Sequence, residues 1–140
     1  MFCKSIIKTQ NQKGATAVEF ALVLPLLLLL LFGIIEFSLY MFNKQVITNA
    51  SREGARAGIV VRQVRMSDGD IEAIALSYCE QYLVTFGTKD ISTKAGPAGR
   101  CLTFGCPLEV QVDFNYEFLF LKTIGISSTN IQSVAKMRME

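Results

Sequence analysis

The chain of 140 residues has no histidine and no tryptophan, and only three prolines and four cysteines. Without imidazole there is no Ser-His-Asp triad, no Cys-His pair and no histidine metal ligand. Net charge is nearly missing as well. The formal value is +2 and the basic residues do not cluster, which speaks against a nucleic-acid partner. No acid occurs before Glu19, and no charge of either sign lies between Phe20 and Ile35. The length fits one modest domain. Nothing in the composition calls for a cofactor or a metal, and the expectation is a protein that is not an enzyme.

What is present is a three-part layout. Residues 1–14 form a polar head with Lys4, Lys8 and Lys13. Residues 15–42 form an apolar segment interrupted only by Glu19 and Glu36, with six consecutive leucines from Leu26 to Leu31. Residues 43–140 have the composition of a globular domain. Ala15 to Ile35 makes a helix of about 31 Å, enough to cross a bilayer. The remainder is too small to wrap such a helix as a core. Glu36 then marks the far interface, with Phe32, Phe37, Tyr40 and Phe42 as aromatic anchors. The apolar stretch is longer than the core of a secretory signal, and no small-x-small cleavage site follows closely. Lysines in the head and Lys44, Arg52, Arg56 and Arg62 beyond the span balance one another, so charge alone does not orient the segment. Pro25 removes one backbone N–H and crowds the carbonyl of Ala21. It reads either as a tolerated membrane proline or as a shape feature for helix packing.

Glu19 breaks the pattern: a carboxylate one turn inside an apolar span either snorkels to the headgroups, with the true span beginning at Phe20, or has a positive partner. The run Lys13-Gly14-Ala15-Thr16-Ala17-Val18-Glu19-Phe20 resembles the cleavage site of type IV prepilins and pseudopilins: a basic leader ending in glycine, and glutamate as the fifth mature residue. Cleavage after Gly14 places a new α-amino group on Ala15, and Glu19 falls at that fifth position. Together with Glu19-Phe20-Ala21-Leu22-Val23-Leu24-Pro25, Gly33-Ile34-Ile35-Glu36 and Ala50-Ser51-Arg52-Glu53-Gly54-Ala55-Arg56-Ala57, the chain resembles a TadE-like protein, a pseudopilin of the tight-adherence (Tad, Flp) pilus system. The resemblance runs over about a third of the chain, residues 13–58. It implies a leader of residues 1–14 removed by a prepilin peptidase at Gly14 and Ala15, and pairing of Glu19 with the N-terminus of a neighbouring subunit. It also implies a single pass through the bacterial inner membrane, N-terminus cytoplasmic and C-terminal domain extracytoplasmic, with incorporation in a surface pilus as a further expectation. The partners implied are other pilin or pseudopilin subunits and the pilus assembly platform. Flp major pilins are much shorter and usually carry tyrosine where this chain has Phe20, so a minor pilin or pseudopilin is the closer match. The alternative is an uncleaved single-pass signal anchor whose outer domain binds a ligand or partner.

Beyond the span, the helix is expected to continue over residues 43–58. Ile47, Ala50, Gly54, Ala57 and Val61 share one face, and Arg52, Glu53 and Arg56 form a solvated one. A second helix is expected from Ser67 or Asp68, with Ile71, Ile74, Ala75, Tyr78, Cys79, Tyr82 and Phe86 as its stripe and Gly87 as its stop. Thr88 to Gly105 has loop composition. Then Val110, Val112, Phe114, Tyr116, Phe118 and Phe120 alternate with polar residues, followed by a weaker alternation of Ile131, Ser133, Ala135 and Met137, which predicts an antiparallel hairpin. The fold class is therefore α+β: a long N-terminal transmembrane helix and a small C-terminal domain of one further helix packed on an antiparallel sheet, a pilin-like plan. Glu109, Asp113 and Glu117 have the spacing of any solvent face of a strand rather than of a catalytic carboxylate pair.

Cys3 lies in the leader. Cys79, Cys101 and Cys106 fall in the part expected outside the cytoplasm, where disulfides persist. One bond and one free thiol is the simplest outcome, and spacing leaves the pairing open, with a lean towards a bond at Cys106.

Overall fold

The computed structural model describes residues 12–60, 64–96 and 105–138. Its elements run α1 (Gln12–Ile59), α2 (Asp68–Tyr82), β1 (Ile91–Ala95), β2 (Pro107–Glu117), a 3₁₀ turn at Leu121–Ile124, and β3 (Ser128–Arg138). The chain divides into one unit up to Ile35 and a second from Glu36 onward. The architecture is α+β, as the periodicities predict.

In the first unit, α1 is built from leucine and alanine, good helix formers, and continues through Pro25 without ending. In the second unit the character of α1 changes. Asn43, Val46, Ile47, Ala50, Ser51, Ala55 and Gly58 are buried, at spacings of three and four that make one stripe. Gly54 lies within reach of Ala75 and Val110: a Cβ added there would stand 3.2 Å from the Ala75 Cβ. At Gly58 a Cβ would stand 2.5 Å from the Leu108 side chain and 2.6 Å from that of Ile71. Glycine is therefore what permits this helix to approach α2 and β2. Ala57, expected on that face, is only half-buried, and Val61 lies outside the described residues. Arg52, Glu53 and Arg56 are exposed, as expected.

α2 starts at the predicted place. Ser67 caps it, with its hydroxyl accepting from the Asp70 N–H and the Asp70 carboxylate accepting from the Ser67 N–H, a capping box closed by aspartate. Its buried stripe is Ile71, Ala75 and Cys79. The helix ends at Tyr82, five residues before the glycine expected to stop it, and Tyr82 and Phe86 are exposed. The cause is tertiary. Val84 donates its N–H to the Asn43 side chain at 3.0 Å and accepts from it at 2.7 Å, drawing the backbone out of the helix, while Leu83 turns into the core instead.

The sheet has three antiparallel strands in the order β1-β2-β3, one more than the predicted hairpin. β1 lies inside the segment read as a loop. Its five residues pair Ile91 with Phe114 through Ala95 with Val110. Five residues between turn-forming neighbours give too short an alternation to stand out. β2 buries Leu108, Val110, Val112, Phe114 and Tyr116, the predicted face. It stops at Glu117, so Phe118 and Phe120 do not extend it, and Phe120 instead precedes the 3₁₀ turn. β3 pairs with β2 along its whole length, from Pro107 with Arg138 to Glu117 with Ser128.

Candidate functional site: the apolar helix and its glutamates

Gly14, Ala15 and Glu19 all lie on α1 and are exposed. A Cβ at Gly14 would meet nothing within 4 Å. Around them Val18, Phe20, Leu22, Val23 and Leu26 to Leu31 are also exposed, Leu22 at 74%. No residue of the most apolar 18-residue window is buried, and α1 is the one helix among the described residues long and apolar enough to cross a membrane. Glu19 has no ion pair among the described residues. An apolar surface this large on a small protein marks an interaction with lipid or with other chains.

The second glutamate behaves differently. Glu36 was expected to mark an interface. Instead it is 2% exposed and its carboxylate accepts the backbone N–H groups of Leu119, Phe120 and Leu121. The Phe120 N–H reaches both oxygens, and Leu121 donates to Oε2 at 3.0 Å. These are the free donors at the start of the 3₁₀ turn, where no local side chain caps. A carboxylate distant in sequence supplies the cap, and charge-assisted bonds of this kind are the strong ones. Tyr116 sits close by. Burial first, and the Glu36 charge second, push its phenol pKa up from the ordinary value. Tyr40, expected as a membrane anchor, packs edge-on against Tyr116 at 5.9 Å and stacks on Phe118 at 6.3 Å. Phe37 and Phe42 remain exposed.

A signal for Glu36 exists in the sequence. It lies seven residues before Asn43, on the same stripe as Ile47, Ala50 and Gly54. A polar residue on a core stripe needs an internal partner, and both Glu36 and Asn43 find theirs in backbone.

The acids of β2 serve separate contacts. Glu109 pairs with Lys136 at 2.5 Å, Asp113 accepts from the Gln111 amide at 2.8 Å, and Glu117 lies beside Gly87. Among the described residues no group of three His, Cys, Asp or Glu could hold a metal. Cys79 is free and buried, so the disulfide alternatives that include it fall away. Burial, aided by the Glu80 charge, pushes its thiol pKa up to about 11. Cys106 is disulfide-bonded. Cys3 and Cys101 lie outside the described residues.

Residues 14–56 match the family model described as TadE-like protein. The chain carries a TadE-like segment. It begins at Gly14, takes in Glu19 and Glu36, and ends within α1 at Arg56. No curated protein and no solved structure matches the chain. The TadE-like segment thus covers the exposed apolar residues of α1, the docked glutamate, and the first part of the small-residue stripe through Gly54.

Proposed function

We propose that this chain is a minor pilin or pseudopilin subunit acting in assembly of a Tad-type (Flp, type IV-like) pilus, and that its role is structural rather than catalytic. The observation that carries this reading is the TadE-like match, which opens on Gly14 and contains Glu19 four residues after Ala15. Prepilin peptidase cuts after Gly14, and residues 1–14 leave with three lysines. The remaining 11 basic and 12 acidic side chains turn a net charge of +2 into −1. The new α-amino group of Ala15 pairs with Glu19 of a neighbouring subunit. In an apolar surrounding neither charge is tolerable alone, and the pair offsets the desolvation of both. The exposed apolar face of α1 serves first as an inner-membrane anchor, with the N-terminus cytoplasmic and the globular unit outside. It then packs against other subunits on the assembly platform.

The mature N-terminus tests the proposal. In cells that contain the peptidase, mass spectrometry of the purified membrane form is expected to give a chain starting at Ala15, while a Gly14→Val variant retains residues 1–14. An intact N-terminus in the wild type overturns the processing step and favours an uncleaved signal anchor.

A further inference from the structure

Glu36 is the first residue after the uncharged apolar run that ends at Ile35, and its carboxylate holds the turn between β2 and β3. From there α1 runs along the sheet to Gly58, which lies against Leu108 at the start of β2. Between residues 36 and 58 a helix rises about 33 Å. The β2–β3 turn therefore belongs to the end of the globular unit at which the apolar run joins it, and the start of β2 belongs to the other end.

Residues 118–127 have an uncommon surface for a turn in water. Leu119, Phe120 and Ile126 are 48%, 38% and 51% exposed, three large apolar side chains within one turn. Phe37 of α1 is exposed as well. Its ring stacks on Tyr40, which stacks on Phe118, so helix and turn present one apolar rim. The backbone donors, by contrast, are taken up inside. Leu119, Phe120 and Leu121 give their N–H groups to Glu36, while Phe118, Thr123, Gly125 and Ile126 give theirs to backbone carbonyls. A turn with apolar side chains outside and its N–H groups bonded inside loses little on leaving water. Its one charge is the exposed Lys122, and no acid occurs between Glu117 and Glu140.

We propose that this turn is a second membrane contact: Leu119, Phe120 and Ile126 enter the headgroup region of the bilayer in which α1 is anchored, and Lys122 reaches lipid phosphates. Position in the chain and charge select lipid over a further protein. Where the apolar run leaves the membrane, residue 36 stands at the surface, and the turn is bonded to residue 36. Aromatic and basic side chains are what that layer favours. A single helix leaves the globular unit free to swivel about the helix axis; the second contact holds its β2–β3 end against the bilayer. The inference rests on the anchor role proposed for α1 and not on cleavage after Gly14.

Tryptophan is absent from the chain, so a single introduced one reports on its own surroundings. The test uses the full chain in vesicles of phosphatidylcholine and phosphatidylglycerol, with acyl chains brominated either near the headgroup or near the methyl end. Leu119→Trp and Ile126→Trp are each expected to emit at shorter wavelength than Val134→Trp, and to lose more fluorescence to the shallow bromines than to the deep ones. Leu28→Trp, within the apolar run, is expected to show the reverse order, and Val134→Trp no loss with either lipid. Quenching at position 28 without quenching at 119 and 126 overturns the turn contact and leaves the anchor standing. No quenching at any position overturns both. Short-wavelength emission at 119 and 126 that neither bromine touches means that protein covers the turn, and also overturns the proposal.

Discussion

Residues 14–35 and 36–59 belong to one unbroken helix, yet they obey opposite rules. The first stretch is large, apolar and exposed on every side; the second is narrow, with glycine, alanine, serine and asparagine turned inward. The same backbone conformation thus carries two kinds of surface. Where the helix meets its own domain, small residues let α2 and β2 approach, and the polar atoms are paired one by one. In residues 14–35 the side chains are mostly large and apolar, and the only charge is Glu19. Glutamate itself carries the contrast: Glu36 is bonded inside the chain, and Glu19 is exposed with no ion pair among the described residues.

The largest expected effect comes from exchanging those two glutamates for alanine. Glu36→Ala strands three backbone donors, and is expected to destabilise the Glu36–Glu140 unit by about 4 kcal/mol in denaturant unfolding of the full chain. Glu19→Ala is expected to leave the same transition unmoved. Equal effects would erase the distinction between the two regions. The glycines give a second pair. Gly58→Ala forces a methyl group against Leu108 and Ile71 and is expected to cost about 2 kcal/mol, whereas Gly33→Ala, with nothing within 4 Å, costs nothing measurable in that unit. A third comparison lies at the start of α2: Ser67→Ala loses its capping box and is expected to cost about 1 kcal/mol, read as a lower denaturation midpoint at unchanged slope.

The smallest effect at neutral pH belongs to Cys79. Its thiol titrates near 9.0 in an unfolded chain and about 11 in the fold, so the native state holds its proton longer. Stability from this group is complete below pH 9 and declines as pH rises towards 11. Alkylation at neutral pH is expected only after unfolding. Tyr116 supplies a companion reading: Glu36→Gln removes a negative charge from its surroundings and is expected to lower the pH at which its phenolate absorbance appears.

Much of this contrast is legible in the residues. The long apolar helix, the Ser67 cap and the alternation of β2 each follow from local chemistry, and each stands at its expected place. The features that escape are those in which a distant partner decides. Glu36 looks like a boundary until Leu119, Phe120 and Leu121 present their N–H groups. α2 would run on to Gly87 were it not for Asn43 drawing Val84 aside. β1 is too short to announce itself, and it forms because β2 already offers an edge. Tyr82 and Phe86 continue an apolar period with no surface left to cover.

Asn43 has a consequence in mechanical terms. Side chains along α1 fasten it to the rest of its unit: Glu36 to the turn after β2, Asn43 to Val84, and Ser51 to Ser133 on β3. They follow one another along the helix axis, so peeling α1 sideways from its Ile35 end is expected to load them one after another. The first clasp takes the strain before the second is felt, and the glycine-lined contact at Gly54 and Gly58 comes last. Peeled in that direction, the helix is expected to part first at Glu36 and next at Asn43.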